Sequence, residues 1–128
     1  MRLLLDTHVF LWLLTEPERL GKHVASLEDL SNELFLSAAS SWEIAIKVQL
    51  GRLDLPDEPK RYVPDRMRAI GAGPVPVEHN HALAVSELPL LHRDPFDRLL
   101  VAQARDLRLR IVTADAQITR YEVETLLV

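Results

Sequence analysis

Short apolar runs alternate with helix-like segments along this chain. The apolar runs have the length expected of buried strands and lie at residues 3–5, 34–36, 75–77, 110–113 and 123–128. Pro76 cannot donate a hydrogen bond to a neighbouring strand, so it suits only an edge position of the sheet or the end of a strand. Strands that alternate with helices pair in parallel and are covered on both faces. The pattern therefore predicts an α/β sandwich.

Apolar residues at helical spacing fill the segments between these strands. They predict helices at residues 7–14, 17–30, 40–50, 59–70, 79–88 and 95–107, and a short helix at 116–121. Ser40 is expected to cap the third helix, which would stop at Gly51, and Pro95 suits the first turn of the sixth. No repeat or low-complexity tract interrupts the pattern, so residues 1–128 are predicted to form a single domain.

The composition is that of an ordinary globular protein, with 48% hydrophobic and 27% charged residues. The chain has no cysteine, which excludes disulfides and thiolate metal sites and makes a reducing compartment, the cytoplasm, the simplest expectation. The longest apolar run, residues 9–14, is far shorter than the roughly 20 residues of a membrane-spanning helix, so no membrane association is expected. A net charge of -4 argues against broad electrostatic attraction to nucleic acid, although not against a local basic rim.

Four carboxylates stand where predicted elements meet. Asp6 and Asp115 directly follow two of the predicted strands, and Glu43 and Asp97 lie near the starts of two helices. Parallel strands end at the same edge of a sheet, where open α/β sheets bind ligands, so Asp6 and Asp115 are expected on one side of the molecule. The two helix starts can direct Glu43 and Asp97 to the same place. Carboxylates gathered in one cleft repel one another, and a divalent cation relieves the repulsion.

Each acid also has a purely structural explanation. Asp6, Asp94 and Asp115 could each cap the helix that follows, and Ser40 with Glu43 matches a capping box. Such caps stabilise a helix by about 1 kcal/mol each. Taken singly, every one of these acids is accounted for without a functional site.

The helix face that carries Asp97 favours a functional explanation. Asp97 shares this face with Leu100, Val101 and Ala104, so its carboxylate is expected to point inward, where it needs a backbone donor, a cation or a metal as partner. Glu43 is less clear, because Lys47 stands four residues on, in the favoured orientation for a helical ion pair. In a functional site, Lys47 would border the pocket and orient Glu43.

Four segments of the chain, in this order, match a known pattern: Leu4-Leu5-Asp6-Thr7-His8, then Ser37-Ala38-Ala39-Ser40-Ser41-Trp42-Glu43-Ile44-Ala45-Ile46-Lys47, then His92-Arg93-Asp94-Pro95-Phe96-Asp97-Arg98-Leu99-Leu100-Val101-Ala102-Gln103-Ala104, and then Val112-Thr113-Ala114-Asp115. They resemble the PIN-domain proteins, and more closely the VapC-type toxins of bacterial and archaeal toxin–antitoxin pairs. The resemblance covers the chain nearly end to end, and four ordered segments are far more specific than a lone Asp-Thr-His.

The resemblance implies a PIN-like three-layer sandwich, in which helices flank a central, mostly parallel sheet of about four or five strands. It implies a magnesium-dependent endoribonuclease, with manganese as a possible substitute, whose principal metal ligands are Asp6 and Asp97. Glu43 and Asp115 would complete the acidic site directly or through water. Thr113 matches a position where family members place a hydroxyl beside the metal.

Further features of the family carry over less directly. Asp94 matches a recurrent acid of the subfamily, but its role as a helix cap is a sufficient explanation. Ile118 stands where an aromatic residue is common, so the surroundings of Asp115 are the least typical part of the match. The family also implies a homodimer and a complex with an antitoxin protein, besides the RNA substrate.

Other functions fit the residues less well. A non-catalytic PIN-like module would use the same surfaces for assembly. A phosphatase with an aspartyl nucleophile usually needs a second acid two residues after the first, where this chain has His8. A phosphorylation receiver would need an acidic pair ahead of a phosphoacceptor strand, an order that this chain lacks. His79 and His81 suggest a transition-metal site, but alternate residues at a helix start point in different directions, which favours solvated or capping roles.

Overall fold

The centre of the fold is a five-stranded parallel sheet. A computed structural model describes residues 1–128. The strands are β1 (Arg2–Leu5), β2 (Glu33–Ser37), β3 (Ala72–Val75), β4 (Arg110–Thr113) and β5 (Thr125–Leu127). Their order is β3-β2-β1-β4-β5, and all four pairings are parallel. The predicted α/β fold with a mostly parallel sheet is confirmed.

Six α-helices surround the sheet. They are α1 (Thr7–Thr15), α2 (Val24–Glu28), α3 (Ala38–Gln49), α4 (Pro59–Ile70), α5 (His79–Ala84) and α6 (Pro95–Leu107). Short 3-10 helices occupy Pro17–His23, Val85–Glu87 and Ile118–Arg120. None of the helices has the length and apolar character needed to cross a membrane.

Apolar side chains cover both faces of the sheet. Successive residues of a strand point to opposite faces, and β1 follows this rule. Leu4 packs into a cluster that contains Leu100 of α6, whereas Leu3 and Leu5 pack into a second cluster that contains Phe10 of α1. All of these side chains are buried. The arrangement is a three-layer sandwich with β1 at its centre.

The predicted second helix at residues 17–30 is wrong in its continuity. The structure has a 3-10 helix at Pro17–His23, followed by the short helix α2. Gly21 lies within the Pro17–His23 segment with φ 55° and ψ −131°, a backbone conformation that no helix contains, so the segment is kinked there. The predicted helix at 79–88 is likewise divided, into α5 and the 3-10 helix Val85–Glu87.

The third strand lies earlier in the chain than predicted. It covers Ala72–Val75 instead of residues 75–77, and its pairing with β2 places Pro74 opposite Leu36. β3 forms one edge of the sheet, where a proline is tolerated because its missing N–H has no partner to lose. The edge position was one of the two alternatives predicted, although from Pro76.

The prediction that Ser40 caps α3 is also wrong. The helix begins at Ala38, and its cap is Ser37, whose hydroxyl accepts a hydrogen bond from the backbone N–H of Ala39 at 3.0 Å. Ser40 is therefore an interior helix residue, and its buried hydroxyl has no hydrogen-bond partner. Glu43 lies in the second turn of the helix and belongs to no capping box.

Candidate active site

Asp6 lies at the carboxyl end of the central strand. It follows β1 and caps α1, since Oδ1 accepts a hydrogen bond from the Val9 N–H at 2.8 Å. Oδ2 accepts a hydrogen bond of 2.5 Å from the hydroxyl of Thr113. The side chain is buried, and this burial raises the pKa of Asp6, although the hydrogen bonds from Thr113 and Val9 oppose the increase. Asp6 is therefore both a helix cap and a buried acid at the carboxyl edge of the sheet, so the structural and the functional explanation of this residue are compatible.

Thr113 connects the ends of two neighbouring strands. It is the last residue of β4, which pairs with β1. While its hydroxyl donates to Asp6, its oxygen accepts a hydrogen bond from the backbone N–H of Asp115 at 3.0 Å. Asp115 Oδ1 in turn accepts from the Gln117 N–H at 2.9 Å, a local turn that fixes the carboxylate. One buried hydroxyl thus holds two of the four acids in a fixed relation.

Glu43 is buried on α3 and is held by a hydroxyl and an ammonium group. Its Oε1 accepts a hydrogen bond of 2.6 Å from Thr7, the residue that follows Asp6, and its Oε2 is paired with the Lys47 ammonium at 2.7 Å. The side chain of Lys47 is partly exposed, whereas that of Glu43 is almost fully buried. The helical pair foreseen from the four-residue spacing is therefore present, and it lies at the border of the acidic cluster.

Asp97 is directed into the cluster by the start of α6. Asp94 caps this helix, because its Oδ1 accepts hydrogen bonds from the N–H groups of Phe96 at 2.8 Å and Asp97 at 3.3 Å. Burial raises the pKa of Asp97 to about 7, and the negative charges of Asp94, Asp6 and Glu43 contribute, while His92 acts in the opposite direction. The influence of Asp6 and Glu43 on this pKa means that the acids from three separate segments share one electrostatic environment.

His92 lies between two of the acids, and sequence reasoning gave it no role. Its Nε2 is 2.8 Å from Oδ2 of Asp115 and 3.1 Å from Oδ2 of Asp97. Its Nδ1 accepts from the N–H of Asp94 at 3.3 Å, which leaves the ring proton on Nε2, facing the carboxylates. Its backbone N–H donates to the Tyr121 hydroxyl at 2.9 Å. The only signal in the sequence was its position in the segment that precedes α6.

The histidine pair considered from the sequence lies elsewhere. His81 is buried in α5, where its Nδ1 accepts from the Glu78 N–H at 3.0 Å and its Nε2 lies 3.0 Å from Asp106. It is part of a capping box, while His79 is exposed. These two residues form no metal-binding pair, in agreement with the capping role that was favoured.

The residues of the cluster fit a hard divalent cation. The closest possible ligand atoms, from His92, Asp97 and Asp115, lie within 4.8 Å of one another. The nitrogen Nε2 of His92 would have to release its proton before it could bind a metal, and the other donors are carboxylate oxygens, the ligands that Mg²⁺ and Mn²⁺ prefer. Burial is the main cause of the raised pKa values of Asp6 and Asp97, and neighbouring carboxylates add to the increase in both. The tightest group includes two of the four predicted acids, and Asp6 and Glu43 join it through Thr113 and through charge.

Comparison with known sequences gives matches along nearly the whole chain. Residues 3–124 match the family model described as PIN domain. The chain is 30% identical to Ribonuclease VapC22 of Mycobacterium tuberculosis over 118 residues, which are 90% of this chain and 88% of that protein. A shorter match, 51% identical over 57 residues, relates it to Ribonuclease VapC16 of the same organism. That match covers 44% of this chain and 40% of VapC16.

Solved structures share the fold at low sequence identity. VapBC2 from Rickettsia felis, bound to a DNA fragment from its promoter, superposes with a TM-score of 0.73 at 13% identity and covers 100% of this chain and 99% of its own. FitAcB from Neisseria gonorrhoeae gives 0.65 at 21% identity, with 97% and 96% covered. DNA-bound VapBC from Salmonella typhimurium gives 0.66 at 14% identity, with 98% and 97% covered. Identities this low establish the likeness of fold.

Proposed function

Since this chain belongs to the PIN-domain family, and to the VapC-type group within it, we propose that it is a metal-dependent endoribonuclease. In this proposal residues 1–128 form one catalytic PIN domain, which hydrolyses RNA phosphodiester bonds. It acts as the toxin of a toxin–antitoxin pair, since the relatives found by sequence are ribonucleases named VapC and the structural neighbours include VapBC assemblies.

One observation carries the proposal of catalysis. Carboxylates from four separate segments meet at the carboxyl edge of the sheet, and the pKa of Asp97 is raised to about 7 by burial and by neighbouring acids. Burying ionisable groups beside one another costs stability, and such costs are concentrated at functional sites. A non-catalytic interaction module would have no use for this arrangement. The cluster therefore favours the nuclease over the module.

We assign the metal-binding role to Asp6, Asp97, Glu43 and Asp115, with Mg²⁺ as the cation and Mn²⁺ as a substitute. When bound, such an ion lowers the pKa of a water molecule and neutralises charge on the attacked phosphate.

The surrounding residues position these acids. Thr113 holds the carboxylate of Asp6 and the backbone of Asp115, and Lys47 with Thr7 fixes both oxygens of Glu43. Asp94 sets the first turn of α6, so that the side chain of Asp97 points into the cluster. None of these supporting residues needs to contact RNA.

The partners follow from the proposed activity. The substrate is RNA, the inhibitor is a cognate antitoxin, and the toxin is expected to form a homodimer. Because RNA is the substrate, we place the activity in the cytoplasm. A short neighbouring gene for a DNA-binding protein would support the antitoxin, and co-purification of the two products would test it directly.

Cleavage of labelled RNA by the purified protein tests the proposal. We expect cleavage of transfer or ribosomal RNA to depend on added Mg²⁺, to stop with chelator, and to be abolished in Asp6→Asn and Asp97→Asn. Asp54→Asn, a charge change at an exposed residue outside the cluster, serves as the matched control and should retain full activity. Circular dichroism would establish that the variants fold. Undiminished hydrolysis by both folded site variants would contradict the assignment, and RNA left intact by a protein that binds a partner tightly would favour the module.

A further inference from the structure

An exposed tryptophan lies beside the acidic cluster. Trp42 directly precedes Glu43 on α3, yet Glu43 is 4% exposed and Trp42 is 62% exposed. Leaving so large an apolar surface in water is unfavourable, at about 25 cal/mol for each Å² of apolar area. It is the only aromatic residue among the large, exposed hydrophobic side chains. Its exposed ring is therefore available to a binding partner.

A second aromatic ring fixes the position of Trp42. Phe96, which directly precedes Asp97 on α6, contacts it edge to face, with the ring centroids 5.4 Å apart and the planes at 73°. Phe96 is partly buried, so it supports Trp42 from the protein side. Each ring thus neighbours a residue of the cluster, and Asp97 is influenced by the charge of Glu43. The aromatic pair therefore joins α3 and α6 at the positions that directly precede Glu43 and Asp97 in the chain.

The other tryptophan has a different environment. Trp12 of α1 is partly buried and contacts the ring of His8 at 5.9 Å, and the guanidinium of Arg19 lies 5.1 Å from its centroid. It is covered by its own neighbours along the chain. Only Trp42 combines an uncovered ring with a place beside the carboxylates.

We propose that Trp42, supported by Phe96, stacks against an unpaired base of the RNA next to the phosphodiester that is cleaved. This inference rests on the proposed nuclease function. A protein with a net charge of -4 has little general attraction for a polyanion, so contacts that do not depend on charge must contribute to binding. Stacking on an aromatic ring is such a contact, and it requires a base free of a duplex. The partner is therefore a single-stranded segment of RNA.

Tryptophan fluorescence tests the contact directly. In Trp12→Phe, Trp42 is the only tryptophan, and in Trp42→Phe only Trp12 remains. Each protein is titrated with a single-stranded RNA oligonucleotide, with the same sequence as a duplex, and with an abasic strand of equal length, with Ca²⁺ in place of Mg²⁺ to limit cleavage. We expect the single strand alone to quench emission of Trp42 strongly, and emission of Trp12 to change little.

The kinetics of cleavage provide the second test. Trp42→Ala should raise KM for a single-stranded substrate at least about fivefold, with kcat nearly unchanged, and Trp42→Phe should retain most of the affinity. Leu50→Ala is the matched control, because Leu50 is an exposed apolar residue at the other end of the same helix. Its kinetic constants should equal those of the unmodified protein.

Several outcomes would overturn the inference. Equal quenching by duplex and single strand would exclude base stacking, as would quenching by the abasic strand. Emission of Trp42 that changes with protein concentration and not with RNA would assign this ring to an interface between protein chains. If the unmodified protein cleaves no RNA in Mg²⁺, the proposed function fails, whereas the fluorescence titration still decides whether Trp42 contacts a base.

Discussion

Replacing Asp97 by asparagine should stabilise the metal-free protein while abolishing its activity. The substitution retains the size of the side chain and removes the charge that burial and the neighbouring acids disfavour. The pKa of Asp97 rises from 3.8 to about 7, a difference of about three units, and each unit corresponds to about 1.4 kcal/mol. The full shift would cost about 4 kcal/mol. Because the side chain is 19% exposed and is paired with His92, we expect about 2 to 4 kcal/mol.

The direction of the pH dependence follows from the raised pKa of this acid. Below about pH 4, Asp97 is protonated in both the folded and the unfolded chain and costs nothing. Between about pH 4 and pH 7, the unfolded chain ionises first, so the free energy of unfolding falls as the pH rises. Above about pH 7 both states are ionised and the cost is constant. Asparagine lacks the favourable interaction of a first-turn carboxylate with the helix dipole, which is about 0.5 kcal/mol. This loss is smaller than the gain from removing the buried charge.

Chemical denaturation with chelator present measures this difference. At pH 8 the Asp97→Asn protein should have the larger free energy of unfolding, and the gap should close as the pH approaches 4. Added Mg²⁺ should stabilise the unmodified protein by mass action and leave the variant nearly unchanged. Asp54→Asn should show neither effect. A variant that is less stable than the unmodified protein at pH 8, or a gap that does not depend on pH, would refute the electrostatic reasoning.

Substitutions at four further residues test the hydrogen bonds in and near the cluster. Thr113→Val should lower the free energy of unfolding by about 1 to 3 kcal/mol, because it leaves buried groups of its partners unpaired. Thr113→Ser keeps the hydroxyl and should restore most of this loss in thermal denaturation. Equal losses in the valine and serine variants would argue against the role of the hydroxyl. Ser37→Ala should cost about 1 to 2 kcal/mol, since it removes both a helix cap and the buried hydrogen bond that this hydroxyl donates to Gln103, whereas Ser40→Ala should cost almost nothing because its hydroxyl has no partner. The reverse order in urea denaturation would contradict the assigned cap. Lys47→Met should lower stability by about 1 to 3 kcal/mol, because the buried Glu43 loses its cation, and an unchanged denaturation midpoint would show that this pair contributes nothing.

The regular parts of the fold were predictable because their pattern repeats. Asp6 and Asp115 could be assigned to one edge of the sheet from the apolar runs before them, since parallel strands all end at the same side. The inward direction of Asp97 followed from the apolar residues on its helix face, and the structure buries most of its side chain. These inferences needed only local periodicity and the direction of the chain.

The errors occurred where local pattern and tertiary structure disagree. Ser37 and Ser40 are equally good caps by residue type, and the end of β2 at Ser37 decides between them. Gly21 lies within a helical sequence pattern, and this pattern does not indicate that its φ is positive. His92 lies in a segment without periodicity, and its position beside Asp115 depends on contacts across 23 residues. Sequence spacing carries no information about such a contact.

The central position of β1 has a consequence for how the protein is made. β1 leaves the ribosome before either of its neighbours β2 and β4, and the hydroxyl that holds Asp6 comes from a residue 107 positions later. A chain still under synthesis therefore lacks one wall of its acidic pocket until β4 and Thr113 have been made. The order in which the segments emerge therefore delays the assembly of the complete cluster.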